Sequence, residues 1–465
     1  MNESTLINGS KFTITDGIAL TYANIGIKST CSIEGYGSLY LNVTNLSNAF
    51  TTGSSKGSLK YAILNNTSSS TPSVTNLKGQ SFDIVKTGTI TSTGTINILN
   101  KKLSNTSQNK YLIVFYIDGS KIGNDVIGAS FAGNISEDAH QGKAPYEGLA
   151  KLIANDTFKS TKTVTLNSVN YKYDDTHKLM EDTAGNIRYY GASPNNYIYF
   201  NCSDYKNQSS STCETWRIIG VFDGNVKIMR GSVIGSYSWD SSASGTNSGY
   251  GVNEWSRADL MKLLNSGYDS ASVGGSLYWN AKSGTCYNGE NNATTSCNFT
   301  STGLKNPETR KLIAETTYYT RGHNYSGIYV DAMYDKERVS GTVVNATPSR
   351  KTSWTGKVAI PYPSDYGYAA DLSLCQQNLH GYNNSGCTAN NWMKSIITNN
   401  GSNSGWLLTP NSGTAYVAWR VNSPGFVNYF AAYNAFGVAP VLSLISELDI
   451  GPGTGTSSSP YQLSV

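Results

Sequence analysis

Six of the seven cysteines stand in close pairs, Cys202 with Cys213, Cys286 with Cys297 and Cys375 with Cys387, separated by 11, 11 and 12 positions. The intervening stretches, CSDYKNQSSSTC, CYNGENNATTSC and CQQNLHGYNNSGC, are polar and lack aliphatic periodicity, the composition of a stapled loop. Closing a loop of that length removes on the order of 3 kcal/mol of unfolded-chain entropy. Zinc is the competing reading of the same residues. Against it, CxxC spacing is absent, and of the histidines at 140, 177, 323 and 380 only His380 falls inside one of the loops. The pattern favours three disulfides with no metal or other cofactor, and hence an oxidising, extracellular or cell-surface setting. Cys31 is left over, as a buried free thiol or as half of an intermolecular bridge.

A chain of 465 residues allows two or three domains at ~150 residues each. Its 35 Lys and Arg against 31 Asp and Glu give a net charge of +4, and charged residues make up only 14%. Ordinary soluble domains carry about 25%. So flat a balance excludes nucleic acid and anionic membrane surfaces, which need basic patches. Tyrosine is the unusual number, 32 against 12 Phe and 8 Trp. Together with Ser, Gly and Asn it suggests a wet recognition surface, as in antibody paratopes. The opening MNESTLINGSKFTITDG has no basic n-region or apolar run, and no stretch reaches ~18 apolar residues. The expectation is that a signal or anchor was removed, or that the protein leaves its cell by another route, such as on a virion. Membrane attachment then comes only through an anchor absent from this chain.

Every Trp lies at or after position 216, which marks two regions of different packing style. Residues 1–142 carry short period-2 or apolar runs, Ser38 to Val43, Leu59 to Leu64, Ser81 to Val85 and Tyr111 to Ile117, between Gly, Ser, Asn and Thr clusters. That pattern predicts an all-β, Ig-like sandwich. At APYEGLAKLIAND, residues 144–156, a short helix opens a second domain, 143–465, of mixed α+β type. There YIYFNC reads as a strand, and TWRIIGVFDGNVKIMRG as a hairpin turning on Asp223-Gly224. Helices are expected over Ser256 to Leu264 with Ser256 as N-cap, from Asn306-Pro307 onward, and from Trp392 to Ile397. The long polar loops between them are the kind that usually carry function.

Catalytic signatures are sparse. Gly53-Ser54-Ser55-Lys56-Gly57 fits G-x-S-x-G, but no apolar strand leads into it and no helix follows. Phosphate-loop, zinc-protease and EF-hand patterns are missing. The acidic pairs Asp174-Asp175 and Glu181-Asp182 read as solvated turns, and His323 as a loop histidine without a partner.

The most organised stretch is GWLLTPNSGTAYVAWRVNSPGFVNYFAAYNAFGVAPVLSL, residues 405–444. Apolar anchors such as Trp406, Leu408, Trp419, Val421 and Val427 alternate with small, polar or tyrosine residues, as in a half-buried sheet. The outward, ligand-binding set is then Asn411, Tyr416, Arg420, Asn422, Phe426, Asn428, Phe430, Tyr433 and Asn434. A Trp-Leu-Leu-Thr-Pro turn, an Ala-Trp-x-Val strand, a Gly-x-Val segment and a closing Gly-Val-x-Pro-Val-Leu follow in order. This order resembles the end of C-type-lectin-like domains related in fold to the formylglycine-generating enzyme. Such domains serve as variable proteins of diversity-generating retroelements and as surface proteins of gut Firmicutes. NNYIYFNC, WSRADLMKLLN, SLYWN, TGKVAIPYPSDYGYA and the tail GTGTSSSPYQLSV extend the resemblance over roughly residues 185–465.

The resemblance implies a C-type-lectin-like ligand-binding domain whose outward positions, largely of types reachable from diversified Asn codons, vary while Trp, Leu and Val hold the core. One departure stands out. The family commonly ends Gly-Val-Arg-Pro, and Ala439 occupies the Arg position, so an ionic contact expected there is absent. The reading is thus a non-enzymatic adhesion protein that binds a protein or glycan on another cell or host surface. A structural subunit of a surface fibre or phage tail is the alternative, and a glycan-active enzyme the second.

Overall fold

The computed structural model describes residues 3–25, 35–66, 72–102, 109–141, 148–242, 249–270, 273–338, 350–446 and 448–464. Two compact units divide the chain, Met1–Pro145 and Tyr146–Val465. The expected boundary at 142/143 and Cys31 lie outside the described residues.

In the first unit, a six-stranded sheet runs in the order Ile7–Asn8, Lys11–Thr13, Ser81–Thr89, Leu59–Asn65, Asn109–Ile117, Ala19–Ile25. A three-stranded sheet places Gly35–Leu46 between Gly94–Lys102 and Phe131–Gln141. Leu39, Leu41, Val43 and Ile98 of the small sheet pack on Tyr61, Ile63 and Ile113 of the large one. The alternate residues Ala62, Leu64, Leu112 and Val114 face Leu6, Phe12, Ile14 and Leu77 in a second core. Burial on both faces is why YLIVFYI is a continuous apolar run. The G-x-S-x-G match is a loop clip, since Ser55 Oγ donates to Asp125 Oδ1 at 2.6 Å and accepts from Gly123 N at 2.8 Å.

The second unit mixes short helices with two larger sheets. One runs Lys162–Leu166, Val169–Asp174, Leu179–Glu181, Ile187–Tyr189, Glu214–Phe222, Asn225–Arg230, Val441–Ser443, and Tyr197–Phe200 also pairs with Glu214–Phe222. The other runs Ser236–Ser238, Ala435–Gly437, Gly405–Pro410, Val417–Val421, Val427–Ala431. Asp223 (φ 48°) and Gly224 (φ 85°) make the expected tight turn of the Phe222–Asn225 hairpin. Asn306 caps the Pro307–Lys311 helix by accepting from Thr309 N at 2.7 Å, and Trp392–Ile397 is helical. Ser256, however, lies in a short 3-10 turn and donates to Glu254. The helix starts at Asp259, whose N–H donates to Asp240 Oδ1 at 3.2 Å.

The expected one-sided sheet over 405–444 is corrected. Trp406, Leu408 and Ala418 join one core with Trp216, Ile218 and Ile228. Leu407, Trp419, Val421 and Val427 join another with Ile219, Met229 and Trp392. Helices Val330–Arg338, Pro363–Tyr368 and Trp392–Ile397 all contribute to the second core, while Trp406 and Ala418 on the opposite face are buried in the first, so both faces of the sheet's middle are covered and the edge hairpin alone keeps the expected face partly open. Among the described residues, 15 of the 32 tyrosines are buried, so the tyrosine excess serves the core at least as much as a surface. Some of their hydroxyls donate to carbonyls, as Tyr366 does to Gly425 O (2.7 Å) and Tyr362 to Tyr319 O (2.9 Å).

A neutral cluster of three cations and three anions sits within the second unit. Arg188 Nε donates to Asp182 Oδ2 at 2.6 Å and its Nη1 to Asp365 Oδ1 at 3.1 Å. Lys227 pairs with the other oxygen of Asp365, and Arg338 with Glu337. Aromatic rings pack against the guanidinium groups, Phe222 and Tyr368 against Arg188 and Tyr334 and Tyr362 against Arg338. Asp182 is therefore a core residue and not part of a solvated turn. Asp174 is buried too, accepting from the backbone of Lys159, Thr176 and His177. Ala439 is also buried, without the ionic contact.

All three predicted disulfides form. The cysteines are buried, with Cys375 and Cys387 inside the second core, so the metal reading of these cysteines is set aside. No described helix is long and apolar enough to cross a membrane. Replacing Cys375 and Cys387 together by Ala should lower unfolding free energy by about 2–4 kcal/mol in a denaturant titration. Asp365→Asn leaves buried cations short of an anion and should destabilise by about 3–5 kcal/mol. The cluster holds the Asp365 carboxyl down at about 2. Below the ordinary value of about 3.9 the unfolded chain takes up the proton first. The stabilisation this carboxylate gives should be present above about pH 4 and lost as pH falls towards 2, measured as a Tm profile that flattens in Asp365→Asn.

Candidate ligand-binding face

Strands Val417–Val421 and Val427–Ala431 form a hairpin at one edge of the five-stranded sheet. Its turn closes through Gly425 N to Asn422 O at 2.7 Å and Asn422 N to Phe426 O at 2.9 Å. Gly425 has φ 113°, and a Cβ there would lie 2.9 Å from Thr388 Cγ2 and 3.2 Å from Tyr382 O, so only glycine fits. The register sets Arg420 opposite Asn428 and Ala418 opposite Phe430, while Ala432 N donates to Tyr416 O. With side chains alternating along each strand, Tyr416, Ala418, Arg420, Asn428, Phe430 and Ala432 share one face. Trp419 and Tyr429 lie on the other, with ring centroids 5.5 Å apart.

At one end of that face the Tyr250 ring stacks on Tyr416 at 4.8 Å and lies 5.9 Å from Tyr433. Further along, Phe430 is 5.8 Å from Phe436, and the Arg420 guanidinium packs against both, 4.3 and 4.6 Å from the two ring centroids. Tyr250 and Phe430 are the most open members, at 46% and 42% exposure. Tyr416, Tyr433 and Phe436 are half-buried. The result is a run of partly exposed rings whose rotamers are set by one another, suited to stacking on a sugar ring or an apolar side chain.

Two of the predicted contact residues are not outward. Arg420 is only 9% exposed; its Nε donates to Asn428 Oδ1 at 3.0 Å and its Nη1 to Ser404 Oγ at 3.3 Å. Burial strips water from the guanidinium and lowers its pKa to about 10, and among the described residues no carboxylate lies within 4 Å of it. Arg420 supports the aromatic face from below. Asn411 is 2% exposed because the chain after Pro410 folds under the Asn253 carboxamide, which donates to the carbonyls of Asn411, Thr414 and Val417.

Tyr416, Asn428, Phe430 and Tyr433 gather as expected, and Asn434 locks the turn beside them through Nδ2 to Ala431 O at 3.0 Å. Asn422 and Phe426 stand at the far end of the hairpin, where Phe426 packs on His380, 5.3 Å between ring centroids. Sequence reasoning missed Tyr250 and Phe436. Tyr250 lies about 166 positions before Tyr416, and its local signal is a tyrosine between Gly249 and Gly251, both with positive φ. His323 acts through its carbonyl, which accepts from Trp419 Nε1 at 3.0 Å, and burial lowers its imidazole pKa.

No protein-family model matches the chain, and no curated protein is significantly similar to it in sequence. If Arg420 props up Phe430 and Phe436, Arg420→Ala should lower unfolding free energy by about 1–3 kcal/mol. Unchanged stability in a denaturant titration would remove Arg420 from that role.

Proposed function

We propose that this protein is an extracellular ligand-binding or adhesion protein. The N-terminal β-sandwich acts as a stalk or spacer, and the second unit is a C-type-lectin-like recognition domain. Its ligand is a protein or glycan on another cell or host surface. One observation carries the reading: Tyr250 stacks beside Tyr416 and Tyr433 in a partly exposed aromatic group, and the exposed Phe430 lies on the same face of the edge hairpin. Tyrosines of this kind offer large contact area with little loss of rotamer freedom, and their hydroxyls remain available as polar handles. Three buried disulfides support the extracellular setting.

The resemblance to retroelement variable proteins enters the same proposal. Tyr416, Asn428, Phe430, Tyr433 and Asn434 are of the side-chain types that mutagenesis of Asn codons produces. They lie on an edge hairpin and the turn that follows it, where substitutions disturb the two cores least.

A printed glycan array and a panel of purified host-cell surface proteins provide the test. The variant Tyr250→Ser/Tyr416→Ser/Phe430→Ser should keep its circular dichroism spectrum and melting transition, and should lose at least tenfold in capture of whatever the wild type retains. Equal capture by a folded triple variant would falsify the face assignment.

A further inference from the structure

A second concave site lies away from the aromatic face. It is a cavity of about 470 Å³ between the Glu214–Phe222 and Asn225–Arg230 strands and the end of the Trp392–Ile397 helix. Small-ligand sites span roughly 300–1,000 Å³. Gly231 lets the backbone come close at this point: a Cβ on it would lie 2.6 Å from Thr215 O.

The charges in the cavity do not cancel. Glu214 and Arg230 pair at 3.0 Å. Arg217 is left over, 7% exposed, with no carboxylate within 4 Å of it among the described residues. It is also held still. Its Nε donates to Asn196 Oδ1 at 2.6 Å, and its guanidinium carbon lies 3.8 Å from the Tyr197 ring centroid and 4.9 Å from that of Trp392. A fixed planar guanidinium matches a carboxylate's two oxygens better than a mobile ammonium does.

The helix end does not supply the missing negative charge. The carbonyls of Ser395 and Ile396 already accept from Asn400 N at 2.7 Å and Asn399 N at 3.1 Å. The remaining lining is hydroxyl and carboxamide, from Thr215, Ser232, Ser395, Asn399 and Asn400. Glu214 Oε1 has no hydrogen-bond partner, an acceptor that a ligand hydroxyl would satisfy.

We propose that this cavity is a binding site for a small polyhydroxylated carboxylate of the uronic-acid type. The carboxylate sits against Arg217 and the hydroxyls face Glu214 and the hydroxyl and amide rim. The site is independent of the aromatic face.

Isothermal titration with D-glucuronate, D-glucose and acetate tests it. Glucuronate should bind with a Kd of about 1 mM or tighter, and glucose and acetate at least tenfold more weakly. Arg217→Gln should lose at least tenfold. Because Arg217 is buried, Ser395→Trp is the second variant; Ser395 is exposed at the rim, so the ring obstructs the cavity while the melting transition stays unchanged, and binding should again fall at least tenfold. The aromatic-face variant Tyr250→Ser/Tyr416→Ser/Phe430→Ser should bind glucuronate as the wild type does. Absence of glucuronate binding, glucose binding as tight as glucuronate, or undiminished binding by Ser395→Trp each overturns the proposal.

Discussion

The second unit depends on six charges that exclude water together. Asp182, Arg188, Lys227, Glu337, Arg338 and Asp365 come from two strands, two helices and a turn spread across the domain. In a low-dielectric interior an ion without its partner costs several kcal/mol, so the cluster is tolerable only when every element that contributes a charge is docked. Asp365 makes this concrete. Its two oxygens receive Arg188 and Lys227 from neighbouring parts of the sheet, while Oδ2 also accepts from Tyr362 N and closes the start of its own helix. Rings packed against the guanidinium groups replace water by polarizable π-faces.

With helices packed beside that cluster, the sheets of the second unit have little free surface. Trp406 and Leu407 are adjacent in sequence and lie in different cores. An edge hairpin is the place where such a sheet can still offer side chains to a ligand, and the Tyr250–Tyr416–Tyr433 group with Phe430 occupies it. Rigidity of that group follows from mutual stacking and from Arg420, whose charge is spread between two phenyl rings and two neutral oxygens. Half-exposed, pre-positioned rings lose little entropy on binding, which suits the adhesive role proposed for this face.

Much of the architecture was legible because it rests on local chemistry. The Asp223-Gly224 turn, the Asn306 cap and the strand runs of the first unit depend on residues within a few positions of one another. The cysteine pairs belong with them, since short polar loops keep their ends close. Where the reading went astray, the decisive contact was remote. Ser256 could not be told from Asp240 as the group that receives the first helical N–H, because Asp240 lies 19 positions from Asp259. Asp182 looked like part of a solvated pair until Arg188 and the buried Asn186 turn enclosed it.

Alternation along 405–444 showed which residues share a face, and Tyr416, Arg420, Asn428 and Phe430 do share one. It could not show which face meets water, because a strand has the same period whether one side or both are covered. Sequence alone therefore determined the three staples, the strand-rich first unit and the grouping of the hairpin's side chains, all set by short-range geometry and redox chemistry. Tertiary structure decided that Arg420 and Asn411 are buried, that many tyrosines fill the core, and that Tyr250 completes the aromatic face. Those outcomes depend on which distant segments cover each surface, and no local pattern records that.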